Sequence, residues 1–522
     1  GLVTAVPAFS TVFDEISRGD IRTQGFDLNG LWVPLYTLHK IMNGLMDAYH
    51  HCDNQAALEV AMKLGDYLIE KTKDLTDDQF QLIMRSEFGG LNDAFYDIYA
   101  ATGDAKYLRE GDNFYDKSLL LPLRDGVDCL PGRHANTQIP KIAGLARRAE
   151  LTDGLNAFQI AEFFWDTVVN SHTYANGGNS NGEYFGEPGN LKDRLSDAST
   201  ETCNTRNMLR LTKKLYAQTG DAKYPAYFEQ ALFNHILPSI DVSDNLDALF
   251  TYFVPMNSGG FRTYSDRYHS WTCCHGTGME NHVQYNGVIY YREKTDDGDV
   301  LLVNLTIPSV LDWAEKGVKV SVLADGKIEI DAAKATKLVV KYRVPNNCVA
   351  EGAENGYLTL GEEWEGKTTI APKITENWRL LPLPGDDTRA AFFRGPWLYA
   401  GNLGPKDKPV VANFAADPDP NAVNVPVVVG FDFNDWAKAD KPVLDSARPE
   451  AVELTPFYKA TNRYEVYFRF YNEEVWNAER AKFVAEQARL AKIAAATVDS
   501  FQPGEMQQER DCEFSGVKSS FG

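Results

Sequence analysis

Apolar residues recur at helical spacing through the first part of the chain. Between residues 31 and 46, and again between 58 and 69, about every third or fourth position is apolar, which places these side chains on one face of a helix. We therefore predict a helical region over residues 1–290 with the following side chains in its core: Leu31, Leu35, Leu38, Met42, Leu45, Met46, Leu58, Ala61, Met62, Leu68 and Ile69.

A nine-residue motif marks corners between these helices. Residues 99–107 read YAATGDAKY and residues 216–224 read YAQTGDAKY. The glycine suits the left-handed residue that ends a helix, and the following aspartate suits the N-cap of the next helix. Shorter versions occur at 50–53 and 151–154. Corners that recur about every 50 to 70 residues predict stacked αα-hairpins.

Two long polar, glycine-rich segments, 176–190 and 257–278, interrupt the helical pattern. Loops of this length within a compact helical domain usually carry function. Both segments are therefore predicted to contribute to a functional site.

The pattern changes to β after residue 290, where short apolar or alternating runs stand between Gly, Asp and Pro turns. This is typical of a β-sandwich, predicted over 291–405, with an extension over 406–500 and the start of a further domain over 501–522. The extension is predicted to contain an exposed loop at 415–425 and a helix at 472–498. The predicted strands are 300–305, 318–323, 327–330, 337–342, 392–399 and 464–471.

Composition and charge narrow the classes of partner. The chain has 522 residues, of which 44% are hydrophobic, and a formal net charge of -21. Such a charge repels polyphosphates and argues against nucleic acid as a partner. No apolar run approaches the roughly 20 residues that span a bilayer, so no membrane partner is predicted. An aromatic content of 12% and an acidic surface suit a neutral sugar.

Several familiar catalytic motifs are absent from the sequence. It contains no phosphate-binding G-x-x-x-x-G-K-[ST] loop, no G-x-G-x-x-G after a strand, no H-E-x-x-H and no G-x-S-x-G. Kinase, dinucleotide-dependent and serine-hydrolase functions therefore lose support.

Glu201, Cys203, Cys273 and Cys274 together offer one carboxylate and three thiolates, a complete tetrahedral ligand set for Zn²⁺. Two alternatives remain at this point: Cys203 as a small buried apolar residue, and a strained disulfide between the adjacent cysteines. The adjacent pair falls in the predicted loop 257–278, where a metal and exposure to solvent would favour a reactive thiolate.

Acid and base candidates lie in the other long loop. Glu183 precedes Tyr184 and Phe185, and Glu187 follows them. A carboxyl group beside aromatic rings is expected to have a raised pKa, which suits a general acid. The alternative is a solvated loop glutamate.

Three further polar residues, His39, Glu87 and His134, are candidates for lining a sugar cavity. Each is alternatively a structural hydrogen-bonding residue. Convergence of the three side chains on one cavity would favour a role in binding.

Four motifs resemble a known family. They are GGFRTY at 259–264, WTCCHGTGMENH at 271–282, HANTQIPK at 134–141 and ETCNTRNML at 201–209. The chain closely resembles the β-L-arabinofuranosidases of glycoside hydrolase families 127 and 146, and more the latter, along nearly its whole length. The resemblance implies an (α/α)6 toroid followed by β-sandwich domains, a zinc ion, and retaining removal of terminal β-L-arabinofuranosyl groups from plant glycans or glycoproteins.

The resemblance also implies roles for individual residues. Cys273 matches the nucleophile and a zinc ligand, with Glu201, Cys203 and Cys274 as the other ligands, and Glu183 matches the acid/base. The residues expected to contact the sugar are His39, His134 and Tyr252, with Glu87 beside them.

Family members begin before the part that resembles residues 1–7 and continue beyond 502–505, so the chain is expected to be clipped at both ends and its toroid to be incomplete at the start. Three other functions remain open. They are a hydrolase of the same type acting on another furanoside or a branched sugar, a silent carbohydrate-binding protein with structural zinc, and a thiol redox protein. The sequence indicates neither a compartment nor an oligomeric state.

Overall fold

The computed structural model describes residues 4, 6–243, 248–412, 419–496, 513–514 and 517–518. Most of the predicted further domain over 501–522, and part of the predicted loop 415–425, lie outside these residues. The described helices are α1 Phe9–Ser17, α2 Pro34–Cys52, α3 Gln55–Thr72, α4 Asp77–Ile83, α5 Leu91–Thr102, α6 Ala105–Asn113, α7 Lys117–Arg124, α8 Ala135–Leu151, α9 Ala157–Ser171, α10 Thr202–Thr219, α11 Lys223–Ala231, α12 Cys273–His282, α13 Phe433–Ala439 and α14 Glu473–Ala496.

The helix corners predicted from the repeated motif are confirmed. Gly103 ends α5 with a φ of 71°, and the Asp104 side chain accepts a hydrogen bond from the backbone N–H of Lys106 at the start of α6. Gly220 ends α10 with a φ of 67°, and Asp221 accepts from the N–H of Lys223 at 2.9 Å, although Ala222 and not Asp221 is the N-cap residue of α11. Each corner reverses the chain and sets two helices side by side.

Five helices contact one another in sequence: α2 with α5, α5 with α8, α8 with α10, and α10 with α12. We call these five the site helices. Another four helices pack beside them as hairpin partners, namely α3, α6, α9 and α11. Lys40 of α2 lies 3.7 Å from Glu280 of α12, which brings the last site helix back to the first.

The apolar faces of these helices form the core. Leu38, Met42 and Met46 of α2 and Leu68 of α3 are buried, as the spacing predicts. The helical pattern was expected to begin at Leu31, but Leu31 and Trp32 form a short strand, and α2 begins at Pro34, because proline lacks a backbone N–H and fits the first turn of a helix.

The β-rich region follows the helices. The described strands are β1 Thr23–Gln24, β2 Asp27–Leu28, β3 Leu31–Trp32, β4 Ile240–Asp241, β5 Leu249–Phe250, β6 Tyr290–Thr295, β7 Gly298–Val303, β8 Ser309–Trp313, β9 Val318–Val322, β10 Ile328–Arg343, β11 Cys348–Ala350, β12 Tyr357–Ile370, β13 Ile374–Glu376, β14 Trp378–Leu383, β15 Asp386–Arg394, β16 Trp397–Gly404, β17 Val410–Ala412, β18 Val423–Val425, β19 Val427–Val429, β20 Val443–Leu444, β21 Ala447–Arg448, β22 Val452–Pro456, β23 Arg463–Glu465, β24 Phe468–Tyr471, β25 Glu513–Phe514 and β26 Val517–Lys518.

Two large sheets dominate this region. A six-stranded sheet has the order β6-β7-β10-β9-β8, with β12 also paired to β10. A nine-stranded sheet has the order β20-β22-β16-β15-β24-β19-β21, with β14 on β15 and β23 on β16. The segments predicted as strands at 327–330 and 337–342 are confirmed as β structure, but they form one continuous strand, β10, and not two. Its register with β12 shifts between Ala332 and Thr336, so an irregularity in the pairing stands where a turn was expected.

The nine-stranded sheet braces the segment that leads to the adjacent cysteines. Tyr464 of β23 accepts a hydrogen bond from the N–H of Gly259 at 2.9 Å and donates its own N–H to Gly260 at 3.0 Å. The Ser258 hydroxyl donates to Glu465 at 2.8 Å. The position of this segment therefore depends on strands about 200 residues away in the sequence.

Among the described helices, none combines the length and apolar character that crossing a bilayer requires.

Candidate active site

The four predicted metal ligands lie at the N-terminal ends of two site helices. Glu201 directly precedes α10 and Cys203 lies in its first turn, while Cys273 and Cys274 open α12. Their ligand atoms all lie within 4.8 Å of one another. The N-terminus of a helix carries partial positive charge, which favours carboxylates and thiolates at this position. We call these four residues the ligand cluster.

The sulfur atoms of the ligand cluster are close without being bonded. Cys274 Sγ lies 3.1 Å from Cys203 Sγ and 3.5 Å from Glu201 Oε1, and Cys273 Sγ lies 4.0 Å from Cys274 Sγ. A disulfide requires about 2.05 Å, so the adjacent cysteines form none. Cys203 Sγ also lies 3.1 Å from the hydroxyl of Thr277.

The ligand cluster fits a metal ion. Glu201 is buried, and its Oε2 has no hydrogen-bond partner among the described residues. A buried acceptor without a partner costs about 1–3 kcal/mol. A cation held between the carboxylate and the three sulfurs would provide that partner, and four ligands of these types suit tetrahedral coordination of a metal ion.

The loop predicted for the adjacent cysteines is wrong, because both belong to α12. Its glycine-rich sequence has little helical propensity, and local contacts compensate. His275 Nδ1 lies 2.8 Å from the hydroxyl of Thr272, the N-cap residue. A Cβ at Gly278 would lie 2.5 Å from the Phe250 ring, so the glycine lets the helix approach β5 closely.

Cys273 is the exposed member of the ligand cluster. The thiols of Cys203 and Cys274 donate hydrogen bonds to it and lower its pKa to about 2. Burial raises the pKa of Cys203 and of Cys274 well above the usual value for a thiol. The shift therefore favours the thiolate form at the solvent-facing sulfur over the two buried ones.

Glu183 lies opposite Cys273 across one hydroxyl group. The Tyr252 hydroxyl donates a hydrogen bond to Glu183 Oε1 and lies 3.5 Å from Cys273 Sγ. His134 Nε2 lies 2.9 Å from Glu183 Oε2. Glu183 has a φ of 73°, a conformation that costs a residue with a side chain of order 1–3 kcal/mol and is concentrated at functional sites.

The raised pKa expected for Glu183 is wrong. Hydrogen bonding from His134, and then from Tyr252, lowers the pKa of Glu183 and outweighs the opposite effect of burial and of the nearby Cys273. The aromatic residues beside it in the sequence do not isolate it from polar groups. Glu187, the other candidate in this loop, is exposed.

His134 precedes α8 and contacts both Glu183 and Thr137, and Thr137 in turn hydrogen-bonds Glu87. The hydroxyl of Thr137 lies 3.1 Å from His134 Nδ1. Glu87 is partly buried, and burial raises its pKa, while electrostatic interaction with His134 and Lys141 and a hydrogen bond from Thr137 act in the opposite direction. These residues form a chain of polar groups along one side of the site.

His39 is buried, with both ring nitrogens engaged by the chain. The N–H of Gly90 donates to Nδ1 at 3.2 Å, and Nε2 lies 2.9 Å from the Asn43 side chain. Burial lowers the pKa of His39 well below its usual value. A Cβ at Gly89 would lie 2.3 Å from Nδ1, so this histidine fits tightly against the turn after Glu87. Its predicted contact with sugar stays a prediction.

Sequence reasoning missed Tyr36 and Thr137. Tyr36 meets the His39 ring edge-on at 5.6 Å, and burial raises its pKa above the usual value for a phenol. Tyr36 lies three residues before His39 in α2, and Thr137 lies three residues after His134. Helical spacing from a chosen histidine was the available signal.

Comparison with known proteins adds the family. The GH127 catalytic domain of β-L-arabinofuranosidases matches residues 5–287, which is more than half of the chain. The chain belongs to the GH127 β-L-arabinofuranosidase family. It is therefore a glycoside hydrolase whose substrate is a carbohydrate. The closer likeness to family 146 stays a prediction.

Solved structures share the fold of this GH127 chain. A chain described as a glycoside hydrolase has a TM-score of 0.63 and 17% identity, over 88% of this chain and 87% of that one. A GH127 β-L-arabinofuranosidase from Geobacillus stearothermophilus T6 has a TM-score of 0.60 and 15% identity, over 88% of this chain and 86% of that one. A third structure, described as a GH127 β-arabinofuranosidase, has a TM-score of 0.61 and 17% sequence identity, over 90% of each chain. No curated protein matches the sequence.

Proposed function

We propose that the protein is a zinc-dependent retaining glycosidase that removes terminal β-L-arabinofuranosyl groups from plant glycans or glycoproteins. Cys273 is the nucleophile and Glu183 the acid/base. The observation that carries this proposal is the Tyr252 hydroxyl, which contacts both the carboxylate and the only exposed sulfur of the ligand cluster. Membership of the GH127 β-L-arabinofuranosidase family supports β-L-arabinofuranose as the sugar that is removed.

The ligand cluster would hold the zinc ion through Glu201 and its three sulfurs. When bound, zinc would stabilise the thiolate form of the cysteines and keep Cys273 ionised without a neighbouring base. Glu201, directly before α10, and the buried Cys203 and Cys274 are placed for structural ligation, because solvent reaches them little.

The reaction proceeds in two displacements. The Cys273 sulfur attacks the anomeric carbon, the bond from that carbon to the glycosidic oxygen breaks, and Glu183 gives its proton to the departing oxygen. Glu183 then takes a proton from water, whose oxygen forms a bond to the anomeric carbon as the carbon–sulfur bond breaks. Cys273 returns to the thiolate, and two inversions give net retention.

Tyr252, His134, Glu87 and His39 support this chemistry. Tyr252 and His134 orient the two oxygens of Glu183. In the proposal they also contact the sugar, together with Glu87, while His39 fixes the turn that carries Glu87. We further propose that the site helices and their partners belong to an (α/α)6 toroid and that the two large sheets belong to β-sandwich domains. The order of helix contacts and Lys40–Glu280 support the toroid.

The test is hydrolysis of a panel of nitrophenyl furanosides, with the first-formed anomer followed by NMR. We expect release from the β-L-arabinofuranoside with retention, and a loss of at least about 10³-fold in Cys273→Ser. Cys52→Ser, which changes an exposed cysteine outside the ligand cluster, serves as the control. Full activity in Cys273→Ser would overturn the assignment of Cys273 as the nucleophile. Preference for another furanoside would replace β-L-arabinofuranoside as the proposed substrate. Binding of sugar without turnover would indicate a silent carbohydrate-binding protein.

A further inference from the structure

Three aromatic side chains extend from the candidate acid/base toward solvent. The rings of Phe26 and Trp32 lie 5.2 Å apart, and Phe26 meets the His134 ring edge-on at 5.4 Å. The Tyr184 ring also meets the His134 ring edge-on, with the ring centres 5.2 Å apart. Trp32 is 70% exposed and Tyr184 is 42% exposed. We call Phe26, Trp32 and Tyr184 the aromatic strip.

The aromatic strip is held by backbone hydrogen bonds. Trp32 pairs with Asp27 across β2 and β3, and the N–H of Val33 donates to the carbonyl of Phe26 at 3.0 Å. The hydroxyl of Ser86 donates to the same carbonyl at 3.1 Å. The Phe26 and Trp32 rings therefore stand on a short three-stranded sheet, Phe26 in its first turn and Trp32 in β3, and this support lowers the entropic cost of binding.

Tyr184 is fixed from the opposite direction. Its backbone forms a bridge with His134, and Arg194 Nη2 donates to its carbonyl at 3.1 Å. Because Tyr184 directly follows Glu183 in the chain, the position of this ring and that of the acid/base are set together. Exposed aromatic surface continuous with a catalytic site is typical of ligand binding.

The place of the aromatic strip follows from the chemistry. In the proposed reaction Cys273 attacks the anomeric carbon from the side opposite the departing oxygen, and Glu183 must reach that oxygen. The leaving group therefore extends beyond Glu183, away from the sulfur. His134 binds Glu183 through one ring nitrogen and contacts Phe26 and Tyr184 through its ring, so the strip begins on the Glu183 side.

We propose that the aromatic strip binds the sugar ring of the leaving group, so that the enzyme recognises a glycan on both sides of the bond it cleaves. This inference rests on the proposed function. The occupant is a neutral sugar whose apolar C–H face packs on Trp32 and Tyr184, since aromatic rings supply large contact area with few rotatable bonds. A methyl leaving group is too small to reach the strip.

The experiment compares kcat/KM for a β-L-arabinofuranosyl disaccharide and for methyl β-L-arabinofuranoside. In Trp32→Ala, we expect the disaccharide-to-methyl ratio of kcat/KM to fall at least tenfold, and in Trp32→Phe to recover most of its value. Val310→Ala, which changes another exposed apolar side chain in β8, should leave the ratio unchanged.

A cavity beside Tyr252 is the alternative place for the leaving sugar. It has a volume of about 380 Å³ and is lined by Tyr252 and Phe261. A fall in the ratio in Phe261→Ala but not in Trp32→Ala would place the leaving sugar there and overturn the proposal. So would an unchanged ratio in Trp32→Ala, or an equal loss on both substrates.

Failure of the proposed function would be visible separately. If the wild type cleaves neither substrate, quenching of tryptophan fluorescence by the disaccharide decides the role of the strip. Saturable quenching that is lost in Trp32→Ala would support the binding platform without the reaction. Equal quenching in both proteins, or none, would overturn it.

Discussion

The hydroxyl of Tyr252 lies 3.5 Å from the sulfur of Cys273. Because the same hydroxyl donates a hydrogen bond to Glu183, one phenol spans the distance between the two groups proposed to react with the sugar. Tyr252 comes from the segment after β5, Cys273 from the start of α12, and Glu183 from the loop before α10. The reactive pair and the phenol between its members therefore come from three separate parts of the chain.

Removing this hydroxyl should slow catalysis while leaving the ligand cluster intact. In Tyr252→Phe we expect kcat/KM for a β-L-arabinofuranoside to fall by about 10²-fold, the usual effect of losing one polar group that is placed for the transition state. Metal content, measured by elemental analysis, should match that of the wild type. Unchanged kinetics would show that the phenol only fills space.

The pH dependence of catalysis should respond to His134. Its hydrogen bond lowers the pKa of Glu183, so Glu183 loses its proton at a lower pH than a free carboxyl group. His134→Phe keeps a ring beside Phe26 and Tyr184 but removes the donor, which raises the pKa of Glu183. The basic limb of kcat/KM should therefore move to higher pH.

Thr137→Val is the matched variant for this pH experiment. It removes a hydroxyl that lies 3.1 Å from the other ring nitrogen of His134 and leaves the ring in place. We expect a smaller displacement of the basic limb in this variant. A basic limb that stays in place, or moves to lower pH, in His134→Phe would contradict the role assigned to the histidine.

Metal binding should depend on the buried ligands. We expect about one zinc per chain in the purified wild type, and a much lower content in Glu201→Gln and Cys203→Ser, since each removes one of four ligands. A ligand present at 1,000 times its Kd stabilises a fold by about 4 kcal/mol, so both variants and chelator treatment should lower the melting temperature. Cys52→Ser should resemble the wild type. Equal zinc in all proteins would exclude the ligand cluster as its site.

The stability of the fold should fall as pH rises, because of Glu465. Burial raises its pKa to about 8, although the Ser258 hydroxyl donates to it. Between the ordinary value of 4.5 and 8, the folded chain keeps a proton that the unfolded chain has released. The free energy of unfolding therefore decreases with rising pH in this window, by up to about 1.4 kcal/mol per pH unit.

Glu465→Gln should remove this dependence, since the amide has the same shape and no charge. Urea unfolding at pH 5 and pH 8 should show the variant gaining stability relative to the wild type at the higher pH. Glu453→Gln, at an exposed position in β22, is the control. A constant difference between Glu465→Gln and the wild type at both pH values would contradict the raised pKa.

The sequence predicted helix ends correctly where nearby residues determine them. The glycine and aspartate of the repeated corner motif act on backbone atoms within two or three residues, and both corners formed as expected. The same reasoning failed at α12, whose glycines oppose a helix, because contacts with Phe250 and Thr272 stabilise it. It also divided β10 into two strands, because pairing with the distant β12 continues the strand between the two predicted segments.

By itself, the sequence determined the residue types available for chemistry: three thiols, one carboxylate that completes a metal set, and a glutamate in a glycine-rich loop. Their convergence within 4.8 Å, the single exposed sulfur, and the lowered pKa of Glu183 were decided by tertiary structure. Burial and hydrogen bonding act through space, so the charge of a side chain depends on neighbours that can lie about 50 to 70 residues away along the chain.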